Sequence, residues 1–175
     1  MKTTTIALAL AAGLSPLAVF AHATLEQGSA EEGSTYKAVV RIGHGCDGQP
    51  TLRLRVRIPE GMVSVKPMPK SGWTLDTVTA DYAQIYDYHG PKSEGATEIT
   101  WTGSLDDSHF DEFVFRGNLH ADAFAAGDVV YFPVVQECAD GEEAWVNVPE
   151  ASQDSHDIDH PAPALRIVPG GHAHH

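Results

Sequence analysis

The sequence has 175 residues, of which 24 are acidic and 11 basic, and its formal net charge is −13 at pH 7. So acidic a chain is disfavoured as a partner of nucleic acid or of an anionic membrane surface, and it favours cations as ligands. The length is enough for one hydrophobic core and short of the size at which chains usually divide into several domains.

The N-terminus has the pattern of a secretory signal peptide. Lys2 is followed by the apolar stretch Ile6–Ala12, and the leader ends in the small-residue motif Val19–Ala21. The apolar stretch falls short of the roughly 20 residues that a membrane-spanning helix requires. We therefore predict that residues 1–21 are removed during export. The mature protein is expected to be periplasmic or secreted, with no membrane anchor.

Two cleavage points satisfy the small-residue rule, one before His22 and one before Thr24. The choice matters because a terminal His22 would offer both its free amine and its ring Nδ1, which together can close a chelate on one metal ion. Nitrogen and oxygen ligands in a tetragonal plane suit Cu(II), the divalent ion for which affinity peaks. Both nitrogens must be deprotonated to bind, so binding should weaken as the pH falls.

Cys46 and Cys138 are the only cysteines. In an oxidising compartment an even pair favours a disulfide, which could stabilise the fold by roughly 4–5 kcal/mol in the chain-entropy model. The alternative is a thiolate metal ligand, since His44 lies close to Cys46. No Cys-x-x-Cys or paired His spacing supports that alternative.

Period-two alternation is the dominant pattern of the remaining chain and predicts β-strands. It is clearest in Thr51–Ile58, where one face carries Leu52, Leu54, Val56 and Ile58 and the opposite face carries Arg53, Arg55 and Arg57. We interpret the arginine face as solvated and paired with carboxylates, in preference to an anion site.

Other short segments of strand character are separated by Gly, Pro and Asp clusters, which predicts an all-β sandwich. These segments are Thr35–Ile42, Met62–Lys66, Thr74–Thr79, Ala83–Tyr88, Thr97–Thr102, Glu112–Arg116, Val129–Val135, Ala144–Val148 and Ala164–Val168.

One segment, Leu119–Ala126, has helical character and predicts a short connecting helix. Near the C-terminus the apolar pattern is lost from Ala151 to Pro163, and residues 169–175 form a polar tail. Several imidazoles on a mobile tail could form a weak secondary metal site, and the alternative is a solvated tail. The histidines concerned are His172, His174 and His175.

Five segments together resemble the YcnI-like family of secreted bacterial domains. They are His44–Gly48, Ile58–Gly61, Lys66–Trp73, Phe110–Phe113 and Tyr131–Gln136. The resemblance covers nearly the whole mature chain, residues 22–168. It implies an immunoglobulin-like β-sandwich, an association with copper handling, and a Cu(II) site built on the first residue of the mature chain.

Carried over to this sequence, the resemblance implies His22 and Glu112 as metal ligands and Trp145 as a ring that covers the site. An indole is not an ordinary Cu(II) ligand, but it can interact with a cation through its π system. Glu98 and Trp101 lie in a similar strand setting and remain alternatives. Without the resemblance, a Glu in such a strand is usually a solvated surface residue, and a Trp usually packs in the core.

These observations favour a copper-binding protein that buffers or transfers Cu(II), with another periplasmic copper carrier as a candidate partner. An enzyme is not expected, because no second His can be assigned to the site and no nucleophile–base motif is present. Two alternatives remain, a metal-free extracytoplasmic interaction domain and a copper-dependent oxidase.

Overall fold

The computed structural model describes residues 22–150, 153 and 158–171. Within these residues the chain forms twelve β-strands. They are β1 (Thr24–Leu25), β2 (Ser29–Glu31), β3 (Thr35–Ile42), β4 (Thr51–Arg57), β5 (Met62–Pro67), β6 (Thr74–Asp87), β7 (Pro91–Leu105), β8 (Asp111–Leu119), β9 (Val129–Tyr131), β10 (Val134–Cys138), β11 (Glu142–Trp145) and β12 (Ala164–Val168).

The strands form three sheets, of order β1-β3-β8-β5, β11-β10-β4-β7-β6 and β2-β12-β9. The twelve described strands pair in antiparallel fashion, except that β12 is parallel to β2. The inward faces enclose one core, whose largest fully buried side chains include Trp101, Phe113, Phe115 and Phe132. The predicted all-β sandwich is therefore confirmed.

Alternation predicts strands where one face is buried. β3 and β12 have the predicted bounds. The predicted strand Val129–Val135 divides into β9 and β10 around Pro133, which has no N–H to continue the ladder. The segments Thr74–Thr79 and Ala83–Tyr88 join in the single long strand β6, with a register shift between Asp81 and Tyr86.

The predicted helix over Leu119–Ala126 is wrong. Leu119 ends β8, and the chain then makes one turn in which the N–H groups of Ala123 and Phe124 both donate to the carbonyl of His120, at 2.9 and 3.0 Å. Gly127, at a positive φ of 103°, follows directly and leads into β9. One turn is too short to form a helix. Among the described residues no helix is long and apolar enough to cross a membrane.

One of the four apolar residues predicted to share a face in β4 lies elsewhere. Leu52 is 36% exposed, whereas Thr51 is fully buried and its Oγ1 accepts a hydrogen bond from Gln136. The register between β4 and β7 shifts at Thr51–Arg53, which explains the reversal. The arginine face does pair with a carboxylate, because Arg53 and Arg55 both contact Glu137, at 3.0 and 2.8 Å.

The predicted disulfide is present and joins Cys46 to Cys138 across a sequence separation of 92. It connects the loop before β4 to the end of β10. Beside it, the buried Gln136 donates from Nε2 to the carbonyl of His44 at 2.7 Å. The loop after β3 is therefore fixed to the five-stranded sheet by one covalent bond and one buried amide.

Candidate metal centre

His22 is exposed and is held in place by the residues that follow it. Ala23 is only 3% exposed and belongs to the core. Thr24 then pairs with Arg41 of β3 as the first residue of β1. His22 lines a cleft of about 400 Å³ between β1 and the stretch 158–164. A buried residue and a strand pairing thus fix the position of His22.

Glu112 lies on the same sheet as β1. Thr24 is opposite Arg41, and Arg41 is opposite Glu112, so the three form one row across β1, β3 and β8. Two strand spacings place Glu112 roughly 10 Å from β1. The Arg41 guanidinium donates from Nε to Glu112 Oε1 at 3.1 Å and from Nη2 to Glu26 Oε1 at 2.9 Å. A metal ion bound by Glu112 would share this carboxylate with Arg41.

The backbone of Glu112 is fixed on both sides. Its N–H donates to Asp111 Oδ1 at 2.8 Å, and its carbonyl accepts from Lys70 Nζ at 3.1 Å. Lys70 also pairs with the Asp111 carboxylate and lies over the ring of Phe113. The start of β8 is therefore well ordered by local contacts, and the side chain of Glu112 projects from a fixed point.

Trp145 ends β11 on the five-stranded sheet, opposite Val134, and is 4% exposed within the core. Two residues later the chain reaches the segment that borders the His22 cleft. Asn147 bridges Pro161, and its carbonyl accepts from the N–H of Ala162 at 2.8 Å. Trp145 is thus a packing residue close in the chain to the wall of the cleft.

Glu112 belongs to the sheet that contains β1, the strand that follows His22, but neither Glu112 nor Trp145 lines the His22 cleft. The described part of the chain contains no group of three or more His, Cys, Asp or Glu side chains able to hold a metal. Because the amine and the imidazole of a terminal His both bind, His22 and one carboxylate would together supply three of the four ligands of a tetragonal Cu(II) plane.

The alternatives Glu98 and Trp101 lie elsewhere. Glu98 is in β7, between Arg57 of β4 and Val78 of β6, on the sheet that does not contain β1. Trp101 is fully buried, and its Nε1–H donates to the carbonyl of Met68 at 3.3 Å. Glu112 is therefore the carboxylate of the two that shares a sheet with the strand following His22.

The C-terminal histidines His172, His174 and His175 lie outside the described residues, as does the predicted signal peptide 1–21. Among the internal histidines, His120 is buried and accepts at Nδ1 from the N–H of Asp122, and His160 Nδ1 lies 3.3 Å from Glu143. These contacts agree with hydrogen-bonded roles for the internal histidines.

Tyr36 anchors the chain that follows β1. Its hydroxyl donates to the carbonyl of Gln27 at 2.7 Å, and its ring packs 6.4 Å from that of Phe132. Burial, and to a smaller extent the nearby Glu26 carboxylate, raise the pKa of Tyr36 to about 12. Tyr36 therefore remains a hydrogen-bond donor at physiological pH.

Sequence reasoning did not identify two features around the site. The Arg41 pairing with Glu26 and Glu112 depends on strand order, which alternation does not reveal. The cleft wall from Pro161 to Ala164 follows a stretch without an apolar pattern, so nothing in the sequence associates it with His22.

Comparison with known proteins identifies a family and a fold. The family model described as "Domain of unknown function (DUF1775)" matches residues 22–167, and this is the domain of the YcnI-like family. A crystal structure of an uncharacterised protein from Nocardia farcinica, described as an immunoglobulin-like fold, aligns with a TM-score of 0.60 and 24% identity. The alignment covers 84% of this chain and 98% of that one. No curated protein matches.

Proposed function

The chain belongs to the DUF1775 family, and from this premise we propose that its mature form binds Cu(II) outside the cytoplasm through a site built on His22. The observation that carries the proposal is the fixed presentation of His22. Ala23 is buried in the core and Thr24 pairs with β3, so an exposed His precedes an anchored residue. The family match also begins at His22. A preorganised chelate loses less entropy on binding than one on a free chain end.

The residues would act in different ways. Once Ala21 is removed, the amine and the ring Nδ1 of His22 supply two nitrogen ligands. Glu112 supplies a carboxylate from the same sheet, and its negative charge offsets part of the charge of the ion. Trp145 is buried in the core two residues before Asn147, so it would act indirectly, by supporting the chain from which Asn147 bridges to the cleft wall. This set favours holding and passing on Cu(II) over turnover.

The acidic character of the chain supports the same role, because a net charge of −13 raises the local concentration of cations at the surface. We place the protein in the periplasm or the external medium, where it would buffer copper or hand it to another carrier. The disulfide between Cys46 and Cys138 fits an oxidising compartment.

The test is an intact-mass measurement of the exported protein, followed by Cu(II) titration with electron paramagnetic resonance. We expect a chain that begins at His22 and binds one copper with nitrogen hyperfine structure. The matched control is the same chain acetylated at the amine of His22, which keeps the imidazole and removes the amine as a ligand. It should lose tight binding, as should His22→Ala. Truncation after residue 171 removes the tail histidines and should leave the site intact.

A chain beginning at Thr24, only weak copper binding by a chain that begins at His22, or equal affinity in the acetylated control would overturn the proposal. The first two outcomes would favour the metal-free interaction domain. Peroxide formation by the copper-loaded protein with a reductant and oxygen would favour the oxidase.

A further inference from the structure

Three basic side chains form a row across the four-stranded sheet. Arg116 of β8 lies opposite Lys37 of β3 on one side and opposite Lys66 of β5 on the other. All three are exposed, while the neighbouring Phe115 points into the core. We refer to Lys37, Arg116 and Lys66 as the cationic row. Like charges directly opposite one another destabilise a sheet, so this arrangement has an energetic cost.

The cationic row is unpaired in a chain that is rich in carboxylates. None of its three members, nor Lys92 nearby, forms an ion pair with any described residue, whereas Arg41, Arg53, Arg55 and Lys70 all do. The whole sequence has 24 acidic and only 11 basic residues. Carboxylates are therefore abundant, yet they pair with other cations and not with this group.

A pocket of about 390 Å³ opens beside the row. Its charged lining is Lys66, Lys92 and Arg116, and it contains no carboxylate. Hydrogen-bonding groups complete the wall, together with the rings of Tyr88 and His89, whose centroids are 4.6 Å apart. The volume lies in the range of small-molecule sites and exceeds what one inorganic ion needs.

The backbone is specifically shaped at this pocket. A register shift between Val63 and Lys66 places Lys66, and not Val65, opposite Arg116. Ser64 adopts a positive φ of 53° within this bulge. Gly117 lies beneath it, and a Cβ there would come within 2.9 Å of the Val65 side chain. Bulges often redirect a side chain next to a functional site.

We propose that this pocket binds a small molecule carrying a multiply charged oxyanion group, with Lys66, Lys92 and Arg116 as its charge partners. Arg presents a planar fork that matches the oxygens of phosphate or carboxylate, and the two lysines add point charges. Bound anion removes the repulsion within the cationic row, so binding also stabilises the fold. The proposal is independent of copper, because the pocket residues are separate from His22 and Glu112.

The test uses the mature protein, freed of copper, with pyrophosphate and citrate as probes in separate titrations. Binding is followed by amide chemical shifts and by the melting temperature. We expect saturable binding of at least one probe, with the largest shifts at Ser64, Arg116 and Asn118, and a higher melting temperature with ligand. Tighter pyrophosphate binding identifies a phosphoryl ligand, and tighter citrate binding identifies a polycarboxylate.

The double variant Lys66→Gln, Arg116→Gln should bind at least tenfold more weakly and should melt at a higher temperature when ligand is absent. Arg166→Gln on β12 is the matched control, since Arg166 is also exposed and forms no ion pair with a described residue, and its affinity should stay within twofold. If the double variant misfolds, Lys92→Gln takes its place. Absence of saturable binding, or equal weakening in the Arg166 control, overturns the proposal.

Discussion

Two rows of charged side chains cross the same sheet four residues apart along β8, and they are built in opposite ways. We refer to Thr24, Arg41 and Glu112 as the paired row. Its one cation, Arg41, contacts Glu112 at 3.1 Å and also Glu26, outside the row, at 2.9 Å. In the cationic row, three cations face each other with no carboxylate partner among the described residues. Carboxylates balance the positive charge of Arg41 in the paired row. In the cationic row, the positive charge would be balanced only by a bound anion.

The difference between the rows shows that the net charge of a chain does not predict the charge at one place on its surface. Exposed ion pairs contribute about 0–1 kcal/mol each, so neither row is needed for folding. The stability of the fold therefore does not explain why the cationic row has no carboxylate partner among the described residues of so acidic a chain.

The largest effect is expected from removal of the disulfide, which tests whether both rows depend on the same folded domain. Replacing Cys46 and Cys138 by Ser should lower the free energy of unfolding by about 4–5 kcal/mol, because the bond closes a loop with a sequence separation of 92. Denaturant unfolding of the double variant and the oxidised wild type measures it. The two rows should then lose their ligand binding in one transition. A loss below 1 kcal/mol would contradict the expectation.

The next largest effect distinguishes Glu112, the carboxylate of the paired row, from the alternative ligand Glu98. Glu112→Gln should weaken Cu(II) binding by at least about tenfold, because an amide oxygen is a poorer ligand and carries no charge. Glu98→Gln, the same change on the five-stranded sheet, is the control and should leave the copper affinity unchanged. Competition titration with a chelator of known affinity measures both. Weakening by Glu98→Gln alone would move the site to the other sheet.

A smaller effect is expected from a substitution that introduces an ion pair into the cationic row. Lys37→Glu places a carboxylate opposite Arg116 and should raise the free energy of unfolding by about 0.5–1 kcal/mol. Lys37→Gln, which only removes repulsion, should give part of that gain. Thermal unfolding at low and high salt measures both, and the gain should shrink as salt screens the charges. A less stable Lys37→Glu variant would show that the row is not repulsive.

The smallest effect concerns Tyr36, which precedes Lys37 of the cationic row and lies on the inner face of β3. The pKa of Tyr36 is raised to about 12 in the folded protein from an ordinary value of 10. The folded chain therefore holds its proton where the unfolded chain has lost it, so this contribution is full below pH 10 and is lost as the pH rises towards 12. Tyr36→Phe should flatten the decline in stability over that window. An unchanged slope in pH-dependent denaturation would contradict the assignment.

Alternation in the sequence predicted strands such as β3 and β12 because each has one buried face. It could not predict the bulge at Ser64 or the burial of Thr51 in place of Leu52, since a register shift depends on the partner strand. The same limit applies to the charged rows. β3 and β8 are neighbours although some seventy residues separate Arg41 from Glu112.

The candidate site divides along the same line. His22 could be selected from the cleavage pattern and the chemistry of a terminal His, which are both local. Its cleft wall could not, because Ile158 and Pro161 reach it through long-range contacts such as the bridge between Asn147 and Pro161. The position of the cleft wall depends on pairing between distant residues, which the local sequence pattern does not reveal.

The burial of Ala23 makes the core a check on maturation. A chain cut before Thr24 would lose His22, the proposed ligand, and also the side chain of Ala23, which is 3% exposed in the core. Misprocessed molecules would then be both unable to hold copper and easier to unfold, so proteases that act on opened chains would remove them preferentially. In the proposed location outside the cytoplasm, the surviving molecules would then be enriched in chains that begin at His22, without a separate quality-control factor.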